Sequence, residues 1–91
     1  MTCYIVIYDA EQSKSDQNIL RIIKNYELHA QISKTAWAIV TNEEATDIRD
    51  KLKEVIAEKD RIFVIKSGAE AGWAHVICEK SWLHKYLMNE Y

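Results

Sequence analysis

Few residues in this chain are placed to do chemistry, and Asp9 leads them. It closes the apolar run Cys3-Tyr4-Ile5-Val6-Ile7-Tyr8, which reads as a strand buried on both faces. A carboxylate at the end of a buried strand is costly unless it is paired, hydrogen-bonded or metal-bound. One carboxylate alone makes a weak metal site. Two copies of Asp9 facing each other across a dimer axis make a reasonable Mg²⁺ site, because Mg²⁺ accepts one or two carboxylates and keeps several waters. The alternative is a strand-terminating turn residue that bonds local backbone N–H groups. Position alone leaves both open.

The loop Ser67-Gly68-Ala69-Glu70-Ala71-Gly72-Trp73 is the second candidate. Gly68 allows close backbone approach, Trp73 offers a stacking platform and Lys66 an anion partner, a set suited to a small nucleotide. The alternative is a plain connector whose Trp73 packs on a neighbour. Other chemistries are excluded. The sequence has no Gly-rich phosphate loop, no metal-spaced Cys/His cluster and no nucleophile elbow. His29, His75 and His84 fall on different elements, and His75 and Cys78 point to opposite sides of one extended segment.

The elements that position these residues follow one another tightly, since the chain has no proline and only Gly68 and Gly72 as glycines. After Asp9, Ala10 to Lys14 reads as a polar loop, with Ser13 or Ser15 capping a helix. That helix buries Ile19, Leu20, Ile23 and Tyr26 at three- and four-residue spacing. Leu28 to Ser33 and Ala36 to Val40 read as a hairpin turning at Ser33-Lys34-Thr35, with one long bent strand as the alternative because no Gly or Asn marks the turn. Thr41 and Glu44 have capping-box spacing. Ala45, Ile48, Leu52, Val55 and Ile56 form the stripe of a second helix, with Asp47–Lys51 and Asp50–Lys53 as supporting pairs. Arg61 to Lys66 is a strand, Trp73 to Cys78 alternates as a fifth strand, and a last helix from about Ser81 carries Trp82, Leu83, Tyr86 and Leu87.

This order is βαββαβ with an added C-terminal strand and helix: an α+β, ferredoxin-like fold over one domain, residues 1–91. Sheet order 4-1-3-2 makes the first and third strands central. The fourth strand is then an apolar edge, which invites pairing with another chain and points to a homodimer.

Net charge is −2 and pI about 5.9, which argues against a strong electrostatic grip on duplex nucleic acid. The charge is uneven: residues 14–34 carry +2 and residues 43–60 carry −3. No apolar run nears the ~18 residues that span a membrane, and Met1-Thr2-Cys3-Tyr4 lacks the basic start of a secretory signal. With Cys3 and Cys78 read as reduced thiols, the expectation is a cytoplasmic protein.

Three stretches carry a family resemblance. They are Tyr4-Ile5-Val6-Ile7-Tyr8-Asp9, Ile32-Ser33-Lys34-Thr35-Ala36-Trp37 and Asp60-Arg61-Ile62-Phe63-Val64-Ile65. Over about residues 1–66 the chain resembles the Cas-two family of small CRISPR-associated subunits, and that family's relatives, the virulence-associated protein D type ribonucleases. The resemblance implies a ferredoxin-like homodimer with Asp9 as the interfacial metal-binding aspartate. It also implies metal-dependent cleavage of RNA or DNA in some members and structural DNA bridging in others. Ser33 and Thr35 stand where the family has Gln and Ser. The family's Arg-rich first helix is reduced to Lys14, Arg21 and Lys24, its acid after the aromatic is Ala38, and its basic tail is replaced by Asn89-Glu90-Tyr91. These departures favour a divergent, stand-alone protein.

Three readings result. The first is a Mg²⁺-dependent endonuclease using Asp9, with Ser33, Thr35 or Lys34 near the phosphate. The second is a non-catalytic adaptor or regulator that binds a protein through the exposed strand edge and last helix. The third is a nucleotide binder at Lys66, Gly68 and Trp73.

Overall fold

A computed structural model of the chain describes residues 1–11, 13–68 and 70–87. The elements are β1 (Thr2–Asp9), α1 (Ser13–Lys24), β2 (Leu28–Ser33), β3 (Ala36–Thr41), α2 (Ala45–Lys53), β4 (Arg61–Lys66) and α3 (Lys80–Tyr86). The four strands form one antiparallel sheet in the order β2-β3-β1-β4. The βαββαβ succession and this order are compatible with the expected ferredoxin-like fold, and β1 and β3 are central as their apolar composition requires.

Strand alternation sorts the side chains onto two faces. Tyr4, Val6 and Tyr8 of β1 and Trp37 and Ile39 of β3 join Ile19 and Ile23 of α1 and Ile48 and Leu52 of α2 in the main core. All are buried, several completely. The opposite face has a smaller core: Cys3, Ala38 and Val40, packed by Leu28, Ile32 and, from α3, Trp82 and Tyr86. Helix α3 therefore covers the β2–β3 half of that face. Beyond Cys3 and Ile5, which belong to that smaller core, the β1–β4 half is left open, with Ile7 43%, Phe63 57% and Ile65 47% exposed.

Several local expectations are corrected. The fifth strand, Trp73 to Cys78, does not form. His75 takes φ 57°, which breaks an extended run. Only the end of the segment meets the sheet, where the Ile77 and Cys78 N–H groups donate to the carbonyls of Ile32 (3.0 Å) and Gln31 (2.8 Å). It follows the β2 edge for two hydrogen bonds and then enters α3.

Helix α1 starts at Ser13 and ends at Lys24, so Tyr26 lies beyond it. The Ser13 side chain falls outside the described residues, as do Ala69 and the tail Asn89-Glu90-Tyr91. Ser15 is buried. The cap of α2 is Glu44 rather than Thr41. Asp47 Oδ2 accepts from the Glu44 N–H at 3.0 Å, while Thr41 Oγ1 accepts from the Glu43 N–H at 3.2 Å and holds the preceding turn. The expected Asp47–Lys51 pair is thereby replaced, because Asp47 turns back to the helix start. Asp50 pairs with its neighbour Arg49 rather than with Lys53.

Candidate functional site

Asp9 ends β1 directly opposite Arg61, the first residue of β4. Arg61 Nη1 donates to Asp9 Oδ2 at 3.1 Å, and the side chains are 82% and 66% exposed. The carboxylate is thus not a buried group in need of rescue. β1 runs out to the rim of the sheet, where among the described residues a cross-strand guanidinium matches its charge. An ion pair this exposed contributes at most about 1 kcal/mol.

The β2–β3 hairpin tip reaches the same end of the sheet. The Tyr8 N–H donates to the Thr35 carbonyl at 3.0 Å, and the Tyr8 hydroxyl donates to the Lys34 carbonyl at 3.4 Å. Burial, reinforced by the charge of Asp16, pushes the Tyr8 hydroxyl above its ordinary pKa, so it stays a donor. Ser33, Lys34 and Thr35 are all exposed. The structure therefore gathers Asp9, Arg61, Ser33 and Thr35 at one rim. It does not build a metal centre there from one chain: among the described residues no group of three or more His, Cys, Asp or Glu side chains could hold a metal ion. With Arg61 already on Asp9, a Mg²⁺ ion needs a second carboxylate from outside the chain.

Lys66 and Gly68 lie toward the opposite end. Lys66 closes β4 beside Tyr4, and the next N–H, of Ser67, donates to the Cys3 carbonyl at 2.9 Å. A Cβ built on Gly68 meets nothing within 4 Å, so no close approach requires glycine there. Trp73 sets its ring edge-on to His84 of α3, with centroids 5.2 Å apart. Its ring packs on a neighbour, and no polar contact joins it to Lys66 or Gly68 among the described residues.

Sequence reading missed one cluster altogether. The Tyr26 hydroxyl donates to Glu43 Oε1 at 2.6 Å. Lys51 pairs with Glu43 Oε2 and lies over the Tyr26 ring at 5.1 Å. These three residues line a cavity of about 570 Å³ at the end of the sheet away from Asp9, floored by Ile22, Leu28 and Val40. The Lys51 ammonium and the Tyr26 hydroxyl hold Glu43 below its ordinary pKa. Burial and the Glu43 hydrogen bond push Tyr26 well above its own. Glu43 and Tyr26 thus each keep the protonation state that the other needs. The arrangement is a clamp that ties the segment after α1 to the start and last turn of α2. The missed signal was chain distance, since Tyr26 is 17 residues and Lys51 eight residues from Glu43.

Among the described residues no helix is long and apolar enough to cross a membrane. No family model matches the chain, and no curated protein matches it. Among solved structures, it is similar to the crystal structure of a hypothetical protein, TT1823, from Thermus thermophilus. The two share 13% identity and superpose with a TM-score of 0.69 over 82% of this chain and 92% of that one, a likeness of fold.

Proposed function

We propose that this chain is a non-catalytic association module, a divergent Cas-two-like protein that works by docking through the uncovered half of its sheet. One observation carries this reading. Ile7 of β1 and Phe63 and Ile65 of β4 form a contiguous apolar strip, and the outer edge of β4 has no strand partner among the described residues. Contiguous exposed apolar surface and an open strand edge are both liabilities in a chain that never associates. The acidic pI of about 5.9 and the engagement of Asp9 with Arg61 favour association over nucleic-acid cleavage.

The rival nuclease reading draws on the shared rim of Asp9, Ser33 and Thr35, and one experiment separates the two. Labelled RNA and DNA are incubated with the chain in Mg²⁺ or Mn²⁺. The association reading expects the substrates to remain intact. Cleavage that is lost in Asp9→Ala overturns it.

A further inference from the structure

We propose that the free edge of β4 takes up an extended segment of a different protein as an added strand, a segment apolar at alternate positions and acidic at both ends. This rests on the association reading above and names the chemistry of its partner.

The argument starts from the direction of the backbone groups. Along an antiparallel strand, successive residues turn their N–H and C=O groups to opposite sides. The Tyr8 N–H donates to the Thr35 carbonyl, on the β3 side, and the Cys3 carbonyl accepts from the Ser67 N–H, on the β4 side. Tyr4, Val6 and Tyr8 therefore bond toward β3, and Cys3, Ile5 and Ile7 toward β4. Ile5 and Ile7 stand opposite Ile65 and Phe63, which spend their own backbone groups on β1. The N–H and C=O groups of Ile62, Val64 and Lys66 are left pointing away from the sheet, and none has a backbone partner among the described residues. At the other edge, the Ile32 and Gln31 carbonyls of β2 already accept from Ile77 and Cys78. β4 is thus the edge on which a new strand finds an uninterrupted ladder.

Side chains set what that strand must carry. An antiparallel newcomer puts each of its residues on the same face as the β4 residue opposite it. Opposite Phe63 and Ile65, which are exposed, apolar residues continue the strip that Ile7 begins and cover its outer side. Arg61 and Lys66 close the two ends of β4. Lys66 has no ion pair among the described residues. Arg61 meets Asp9 through Nη1, and a guanidinium has further donors to offer a second carboxylate. An acid opposite each end matches both.

A second copy of β4 does not meet these demands. Its run Arg61-Ile62-Phe63-Val64-Ile65-Lys66 holds bases at both ends and no acid. The acid just before it, Asp60, is occupied, accepting from the Glu11 and Ala57 N–H groups at 3.2 and 2.8 Å. Addition of an acid-ended strand satisfies the backbone edge, the apolar strip and the charge together.

The test uses the full chain and a fluorescein-labelled six-residue peptide, Glu, Val, Thr, Val, Thr and Glu in that order, whose valines fall opposite Ile65 and Phe63. Fluorescence anisotropy is expected to show saturable binding with a Kd below about 1 mM. A peptide with Lys in place of both Glu residues is expected to bind roughly tenfold more weakly. Val64→Pro removes an outward N–H that no bond to β1 uses, a change that edge strands tolerate. It is expected to abolish uptake while the circular dichroism spectrum stays unchanged. Lys66→Glu is a second check that leaves the backbone edge intact: the variant is expected to lose the preference for acidic over basic ends. Absence of saturable binding overturns the proposal, as do equal affinities for the two peptides, uptake that survives Val64→Pro, or a chain that pairs with its own copies at this edge and excludes the peptide. If strand addition fails in any of these ways while RNA and DNA remain uncut, only the partner assigned here falls. Asp9-dependent cleavage overturns the association reading itself.

Discussion

Glu43 shows how much a single side chain can depend on residues far from it in sequence. Its carboxylate accepts from Tyr26 and pairs with Lys51, and both contacts favour the ionised form. Because its folded pKa is depressed, the contribution of Glu43 is complete above the unfolded value near 4.5. It is lost as pH falls through the folded value. Tyr26 has the opposite sign: its raised pKa means that the clamp holds below pH 10 and weakens only as pH rises through the folded value. Glu43→Gln is expected to cost about 1 kcal/mol at pH 7, and the difference from the unaltered chain should narrow at pH 3. Urea denaturation at both pH values measures it, and a gap that stays constant with pH would show that the carboxylate charge is not what the clamp uses. Nothing in the sequence near Glu43 signals this role. Asp9 was singled out easily, since an acid ending an apolar run is visible locally. Its partner Arg61 is 52 residues away and is assigned only by strand register.

At the scale of elements, the pattern of apolar residues was a good guide wherever both faces of a segment are buried. β3 reads as a central strand because its side chains meet covering layers on both sides, β1 does so only in its first half, where Cys3 and Tyr4 are both buried, and the stripe of α2 appears as the buried pair Ile48 and Leu52. The same logic failed for Trp73 to Cys78. Alternation there was read as a strand, but a strand needs a partner along its length, and among the described residues this segment finds backbone partners only at the Ile32 and Gln31 carbonyls of β2. What anchors the C-terminal region is α3. Seven residues are too few for a helix to persist alone, so packing must hold it, and Leu83 is 1% exposed. Leu83→Ala is therefore expected to cost about 3 kcal/mol of global stability, read from a denaturation midpoint. A loss below about 0.5 kcal/mol would mean that α3 rests on the sheet without contributing to it, leaving the whole second face open rather than half of it.

At the scale of the whole molecule, the open face and the metal question become one problem. A Mg²⁺ ion bound to the folded state raises the melting temperature by mass action, provided that its ligands converge. Within one chain Asp9 has Arg61 beside it, and a guanidinium at that position offsets part of the carboxylate's pull on a divalent cation. The expected result is that millimolar Mg²⁺ leaves the melting temperatures of both the unaltered chain and Asp9→Ala unchanged, while Phe63→Glu, which puts a charge in the middle of the apolar strip, removes the association proposed for that face and leaves the chain folded. Thermal melts with and without Mg²⁺, paired with light scattering, check both halves. A Mg²⁺-dependent rise that disappears in Asp9→Ala would mean that the carboxylates do converge at a symmetry axis. Arg61 would then have to swing away from Asp9, and the rim shared with Ser33 and Thr35 would become a catalytic site rather than the edge of a docking surface.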